Sequence, residues 1–103
     1  MAAWIRVAGL EELPPGELLG VEAASTEIVL ANVDGDIYAL EDRCSHQDLP
    51  LSAGFLESDR LECTWHGAQF DACTGRAMSL PAIRPVKTFN VEIRESDIFV
   101  EVG

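Results

Sequence analysis

The amino-acid sequence predicts an all-β fold, an antiparallel β-sandwich or small barrel. Short runs rich in Val, Ile and Leu recur along the chain between turn signals, which is typical of strands. Five prolines and eight glycines are spread between these runs, and no ten-residue window shows the sustained apolar spacing of three and four residues that marks a helix. Brief strands separated in this way favour an antiparallel arrangement over a parallel sheet.

The strand-like runs can be placed in order along the chain. The clearest pair is joined by Asp34-Gly35, which supplies the positive-φ positions of a two-residue hairpin turn. Prolines and glycines interrupt the N-terminal part, so the only helical turn that we expect lies at residues 10–13. The runs expected to form strands are residues 4–7, 27–33, 36–40, 86–94 and 98–102.

The C-terminal segment KTFNVEIRESDIFVEV predicts a second hairpin. Its apolar residues alternate with polar ones, so we expect Phe89, Val91 and Ile93 to point inward. A turn at residues 95–97 then leads into a second strand. The inward positions of that strand are Ile98, Val100 and Val102.

Length and charge limit the classes of function. With 103 residues, we expect one domain, residues 1–103, with a modest core, and a monomer. No apolar run has the length of a signal peptide or membrane span, which predicts a cytoplasmic protein with no membrane partner. Eighteen acidic against seven basic residues give a net charge of −11. This charge disfavours nucleic acid and speeds encounters with a basic partner, although a role in solubility explains it equally well.

Two mixed pairs of cysteine and histidine form the candidate site. The pairs are Cys44-Ser45-His46 and Cys63-Thr64-Trp65-His66; they contain the only two histidines, and sixteen residues separate His46 from Cys63. The turn-rich stretch between them lets the pairs sit on facing loops. Two cysteines and two histidines can hold a tetrahedral zinc ion or a [2Fe-2S] cluster, and the ligand count alone leaves both open. Zinc modules usually pair like ligands, so the mixed pairs favour the cluster.

The two pairs, together with the Gly after His66 and the Q-F-D and T-G that follow, resemble the Rieske iron-sulfur domain. The resemblance covers essentially the whole chain. It implies the Rieske iron-sulfur fold, with a two-loop cluster-binding subdomain around residues 43–50 and 62–71, and one [2Fe-2S] cluster. It further implies that the inner iron is bound by Cys44 and Cys63, and the outer iron, facing solvent, by His46 and His66.

This sequence differs from quinol-oxidising Rieske proteins at several positions, and the differences indicate which class of Rieske protein it resembles. Those proteins have an extra cysteine in each loop, and the two form a disulfide; the corresponding residues here are Leu49 and Trp65. They also carry a serine and a tyrosine that donate hydrogen bonds to cluster and cysteine sulfur, where this chain has Ala68 and Phe70. Because such hydrogen bonds stabilise the reduced cluster, their loss predicts a potential near the low end of the Rieske range, about −150 mV. A quinol-oxidising role is therefore disfavoured.

The remaining similarity is to the Rieske ferredoxins of bacterial multicomponent aromatic ring-hydroxylating dioxygenases. It implies a one-electron carrier, not an enzyme, that takes electrons from an NAD(P)H-dependent flavin reductase and passes them to a terminal oxygenase. The oxygenase itself needs a further domain with a mononuclear iron. We expect this chain to be too short for such a domain and to have no histidines left to bind the iron. Two alternatives stay open: a Rieske-like small subunit of an assimilatory nitrite reductase, and a zinc-stabilised binding module with two Cys and two His ligands.

Several residues outside the four proposed ligands also have a predicted role. Cys73 has no neighbouring histidine and is predicted to be a packed thiol. Trp65 lies between two ligands, where we expect it to shield the cluster or simply to pack; an aromatic contact with a partner is the open alternative. Residues 80–82 resemble the proline-containing loop that covers the cluster in the family, and an ordinary connection between strands explains them equally well. Three acids near the first ligand pair would steer a basic partner or form an ordinary solvated charge run; they are Glu41, Asp42 and Asp48.

Overall fold

The computed structural model describes residues 3–43, 50–63, 69–78 and 85–102. Within these ranges the chain consists of short strands with two single turns of 3-10 helix, Leu10–Glu12 and Leu51–Ala53. No helix there has the length and apolar character needed to span a bilayer. The strands are β1 (Ala3–Gly9), β2 (Leu18–Ala23), β3 (Thr26–Val33), β4 (Asp36–Glu41), β5 (Phe55–Glu57), β6 (Arg60–Glu62), β7 (Gln69–Asp71), β8 (Thr88–Phe89), β9 (Val91–Arg94) and β10 (Asp97–Val102).

The described strands form three antiparallel sheets. One has the order β1-β10-β9, the second β2-β3-β4-β8, and the third, a small sheet, β5-β6-β7. This architecture confirms the predicted all-β antiparallel class. The helical turn expected at residues 10–13 is also present, as Leu10–Glu12.

The four-stranded sheet lies between two hydrophobic cores, because β3 is buried on both faces. Ile28 and Leu30 belong to a core shared with β10, whereas Val29 and Ala31 belong to a second core shared with the small sheet. All four side chains are fully excluded from solvent. Successive strand residues point to opposite faces, so the run Ile-Val-Leu-Ala fills both cores. The second core is the one that contains Cys63.

Two-residue turns with two positive φ values close three of the described hairpins. Asp34 and Gly35 have φ values of 55° and 100°, which confirms the turn predicted between β3 and β4. Glu95 and Ser96, between β9 and β10, have φ values of 49° and 71°. Ala24-Ser25 joins β2 to β3 in the same way. Paired positive φ values match the right-handed twist of the flanking strands.

Several strands differ from the prediction. The run 86–94 is two strands, β8 and β9, separated at Asn90. Ile93 was expected to point inward but is 42% exposed, because β9 is an edge strand of its sheet. In contrast, the inward register of β10 is confirmed, since Ile98, Val100 and Val102 are all buried.

Arg94 lies on the exposed surface of the β1-β10-β9 sheet, close to two aromatic rings. Its guanidinium carbon lies 4.6 Å from the Phe99 ring centroid and 5.9 Å from that of Trp4. Its Nε donates to Glu92 at 2.9 Å, and this hydrogen bond lowers the pKa of Glu92 and raises that of Arg94. These contacts are solvent-exposed and contribute little to stability.

Candidate metal centre

Of the four predicted ligands, Cys63 is the one that the structure describes. It follows directly after β6 and is 1% exposed. The predicted ligands Cys44, His46 and His66 lie outside the described residues, as do Leu49, Trp65, Ala68 and the candidate covering segment 80–82. Within the described ranges, no three His, Cys, Asp or Glu side chains converge in a way that could hold a metal ion.

Cys63 lies in apolar surroundings. It belongs to the core that contains Leu51, Leu61 and Phe70, each fully buried. The Phe70 ring has no hydroxyl group that could donate a hydrogen bond to sulfur. A sulfur ligand in these surroundings is shielded from water. Such shielding suits a buried bond between iron and thiolate better than a surface site that exchanges its metal ion. The residue type and its burial therefore fit the inner, cysteine-bound iron that the resemblance implies.

The predicted second loop begins and ends on neighbouring strands. Glu62, the last residue of β6, pairs with Gln69, the first residue of β7. The Gln69 amide Nε2 also donates to the Glu62 carboxylate at 2.9 Å. This cross-strand pair fixes the two ends of the connection that carries Cys63 and the expected ligand His66.

The residues on either side of segment 79–84 are hydrogen-bonded to the same part of the molecule. The Met78 backbone N–H donates to the Gln69 carbonyl at 2.8 Å, on the near side of the segment. On its far side the Val86 N–H donates to the Gly75 carbonyl, also at 2.8 Å. Gln69, the first described residue after the second ligand pair, is therefore hydrogen-bonded to Met78, which directly precedes segment 79–84.

The first loop has a different anchor, which sequence reasoning missed. The Ser52 backbone N–H donates to Asp42 Oδ1 and the Ser52 hydroxyl donates to Asp42 Oδ2, both at 2.7 Å. Asp42 is only 8% exposed. The expectation that Asp42 steers a partner from the surface is therefore wrong, because both of its carboxylate oxygens are engaged inside the molecule. Glu41 is half-buried, and Asp48 lies outside the described residues.

Cys73 is exposed, so the prediction of a packed thiol is wrong. It lies in a tight turn in which the Asp71 carboxylate accepts from the backbone N–H groups of Cys73 and Thr74 at 2.8 and 3.1 Å. A side-chain hydrogen bond with Cys73 is the largest cause that raises the pKa of Tyr38 to about 12; the electrostatic interaction with Cys73, burial, and the nearby carboxylates of Asp36 and Asp71 also contribute to the rise. Tyr38 therefore remains a neutral phenol throughout the physiological pH range.

Comparison with known proteins agrees with the resemblance that the two Cys/His pairs indicate. A family model described as the Rieske [2Fe-2S] domain matches residues 3–90. The ferredoxin component of a naphthalene 1,2-dioxygenase system from Pseudomonas aeruginosa is 38% identical over 100 residues, 97% of this chain and 96% of the relative. The ferredoxin component of biphenyl 2,3-dioxygenase from Rhodococcus jostii is 41% identical over 100 residues, 97% of this chain and 94% of the relative.

Solved structures of Rieske ferredoxins also superpose closely on this chain. The Nocardioides aromaticivorans ferredoxin of carbazole 1,9a-dioxygenase superposes with a TM-score of 0.91 at 29% identity, covering 95% of this chain and 96% of that one. A chain from a complex of reduced oxygenase and oxidised ferredoxin in carbazole 1,9a-dioxygenase gives 0.89 at 34% identity, covering 94% and 91%. Dicamba monooxygenase also matches, with a TM-score of 0.84 at 35% identity, but only 32% of its chain is covered against 95% of this one.

Proposed function

Because this chain belongs to the Rieske [2Fe-2S] domain family, we propose that it is the electron-carrying ferredoxin of a multicomponent aromatic ring-hydroxylating dioxygenase system. It accepts electrons from an NAD(P)H-dependent flavin reductase and delivers them to the terminal oxygenase. The observation that carries this proposal is similarity over almost the full length of both chains to ferredoxin components of such systems. The chain is thus an electron-transfer component and not the catalytic subunit.

Four residues on two loops would hold the cluster. Cys44 and His46 come from the loop around residues 43–50, and Cys63 and His66 from the loop around 62–71. When bound, a [2Fe-2S] cluster with two histidine ligands takes up and releases one electron at a higher potential than a four-cysteine cluster. The buried position of Cys63 supports its assignment to the inner iron.

The protein surrounds the proposed site with apolar side chains, and hydrogen bonds hold together the residues that flank each ligand loop. Leu61 and Phe70 keep water from Cys63, while the Glu62-Gln69 pair fixes the second loop. Phe70 brings no hydroxyl that could donate to a sulfur, so the reduced state gains no stabilisation there. This supports a potential near the lower end of the Rieske range, about −150 mV, and a dioxygenase carrier in preference to a quinol-oxidising protein.

Partner recognition rests on charge and on exposure of the histidine-bound iron. The net charge of −11 would draw the carrier to basic surfaces on the reductase and the oxygenase, and each would use the same face in turn. The solved complex of an oxygenase with its ferredoxin in carbazole 1,9a-dioxygenase supports the oxygenase as a partner. We place the carrier in the cytoplasm as a monomer, without nucleic-acid or membrane partners.

The test is a reconstituted electron-transfer chain. Purified protein is combined with the flavin reductase and the oxygenase encoded nearest to it, with NADH and an aromatic substrate. Product should form only when this protein is present, and Cys63→Ser protein, which lacks one ligand, should not support turnover. A fully loaded and reducible protein that transfers no electron to the oxygenase would contradict the proposed role.

A further inference from the structure

The Asp42-Ser52 contact brackets the segment that carries two proposed cluster ligands. Residues 44–49, which include Cys44 and His46, connect Arg43 to Pro50 in the sequence. On either side of them, one carboxylate accepts two hydrogen bonds of 2.7 Å from a single serine, one from its backbone and one from its hydroxyl. Asp42 and Ser52 therefore join the two ends of this connection directly.

The surrounding structure is shaped to hold this contact. The Asp42 backbone N–H donates to the Glu27 carbonyl at 3.0 Å, which ties it to the start of β3. Gly20 of β2 lies against the pair, and a Cβ atom there would come within 2.9 Å of Ser52 Oγ and 3.2 Å of Asp42 Oδ2. Leu51, next to Ser52, is fully buried in the core that contains Cys63. Glycine at position 20 thus provides the space that the contact occupies.

We propose that Asp42 is a positioning residue for the cluster, which fixes the base of the first ligand loop and holds a negative charge close to the irons that keeps their reduction potential low. This assignment rests on the proposed function, because it requires the cluster. Asp42 itself is not a ligand. It acts through the placement of Cys44, which follows two residues later, and through its charge.

The charge should matter because Asp42 is only 8% exposed and both groups that donate to its carboxylate are neutral. Two residues of chain span at most about 7 Å, so the Cα atoms of Asp42 and Cys44 are close. At an effective dielectric constant of about 20, a unit charge at roughly 10 Å changes the equilibrium constant for adding an electron by about tenfold. The negative charge opposes reduction, so its removal raises the potential.

The first experiment isolates the charge. Asp42→Asn keeps the size of the side chain and an oxygen acceptor. The control, Glu27→Gln, removes an exposed acid that lines, together with Asp42, a groove of about 800 Å³. With iron and sulfide content unchanged, we expect Asp42→Asn to raise the midpoint potential by about tenfold in the reduction equilibrium constant, which is ~59 mV for one electron. Glu27→Gln should shift it much less. Equal shifts, or none for Asp42→Asn, would overturn the role of the charge.

The second experiment isolates the positioning. Ser52→Ala removes the hydroxyl donor and Gly20→Ala crowds the pair, and both keep the charge. We expect both variants to lose the cluster to an iron chelator several-fold faster than wild type, with a smaller change of potential than in Asp42→Asn. Circular dichroism checks that the fold is retained. Wild-type rates of cluster loss in both variants would overturn the positioning role.

The outcomes separate this assignment from the proposed function. Wild-type protein that contains no iron and sulfide would overturn the electron-carrier function, and the role of Asp42 with it. Wild-type protein that is fully loaded and active, beside Asp42, Ser52 and Gly20 variants with wild-type potential and cluster retention, would overturn the role of Asp42 alone.

Discussion

Phe70 lies directly opposite Leu61 in the antiparallel pairing of β6 and β7, and both side chains are fully buried in the core that contains Cys63. Because paired residues point to the same face of a sheet, the two form one apolar surface on the inner side of the small sheet. The proposed sulfur ligand therefore lies beside a hydrocarbon wall without hydroxyl groups.

Adding a hydroxyl to this wall should raise the reduction potential. Phe70→Tyr restores the residue that quinol-oxidising Rieske proteins carry at this position, and a hydrogen bond to sulfur stabilises the more negative reduced state. We expect a rise of tens of millivolts in the midpoint potential, measured by redox titration. Phe55→Tyr is the control, because Phe55 is 62% exposed on the same sheet. A fully loaded Phe70→Tyr protein with the wild-type potential would refute the proposed link between the missing hydroxyl and a low potential.

Truncating the partner of Phe70 should weaken the small sheet. Leu61→Ala leaves a cavity in the core beside Cys63, for which we expect a loss of about 2–5 kcal/mol in the free energy of unfolding. Leu56 pairs with Leu61 but is only half-buried, so Leu56→Ala should cost less. Urea unfolding followed by circular dichroism compares the two variants. Equal costs would mean that Leu61 is not a core residue.

The contact between Tyr38 and Cys73 can be tested by titration. The pKa of about 12 for Tyr38, against 10.0 for an unperturbed tyrosine, means that the protonated phenol stabilises the folded state. This stabilisation is fully present below pH 10 and is lost as the pH rises through 12. Tyr38 is the only tyrosine, so one ¹³C-labelled ring signal reports its ionisation.

Substitution of the thiol should then lower that pKa. In Cys73→Ala we expect the pKa of Tyr38 to fall toward 10, because the hydrogen bond to Cys73 is the largest cause of its rise. Cys73→Ser, which keeps a hydrogen-bonding group, should retain part of the shift. A Tyr38 pKa that does not change in Cys73→Ala would show that the thiol is not its partner.

Gly75 should tolerate alanine less well than Gly35. Both have positive φ, 77° and 100°, which costs an alanine roughly 1–2 kcal/mol. At Gly35 the added Cβ meets nothing within 4 Å, whereas at Gly75 it would overlap the carbonyl oxygen of Val86. We expect Gly75→Ala to lose clearly more unfolding free energy in urea than Gly35→Ala, and to loosen the base of segment 79–84. Equal losses would indicate that Val86 moves away without cost.

The sequence patterns predicted the fold class because the longer strands have clear signals. Asp34-Gly35 and the alternation Ile98, Val100, Val102 each depend on a local rule that the structure obeys. The edge strand β2 was missed because Gly20 interrupts it and most of its side chains are only partly buried, so no alternation is visible. Strands β5, β6 and β7 have three residues each, too few for a period of two to stand out.

The family and its cofactor were predictable because the residues that indicate them are close together in the sequence. The spacing of the two Cys/His pairs predicted the family and its [2Fe-2S] cofactor, and both are confirmed by the family match. The Asp42-Ser52 contact joins residues ten positions apart, and no rule of spacing links an acid before one loop to a serine after it. The exposure of Cys73 likewise depends on the turn that Asp71 organises, which appears only in three dimensions.

The most direct test of the account is nitrogen electron-nuclear double resonance on the chemically reduced protein. The chain has only two histidines, so a Rieske centre requires both His46 and His66 on the same iron. We predict an electron-spin signal coupled to two strongly bound imidazole nitrogens, one of which disappears in His46→Cys protein that still holds iron. A reduced cluster with no bound nitrogen, or protein that contains zinc and no inorganic sulfide, would contradict the assignment.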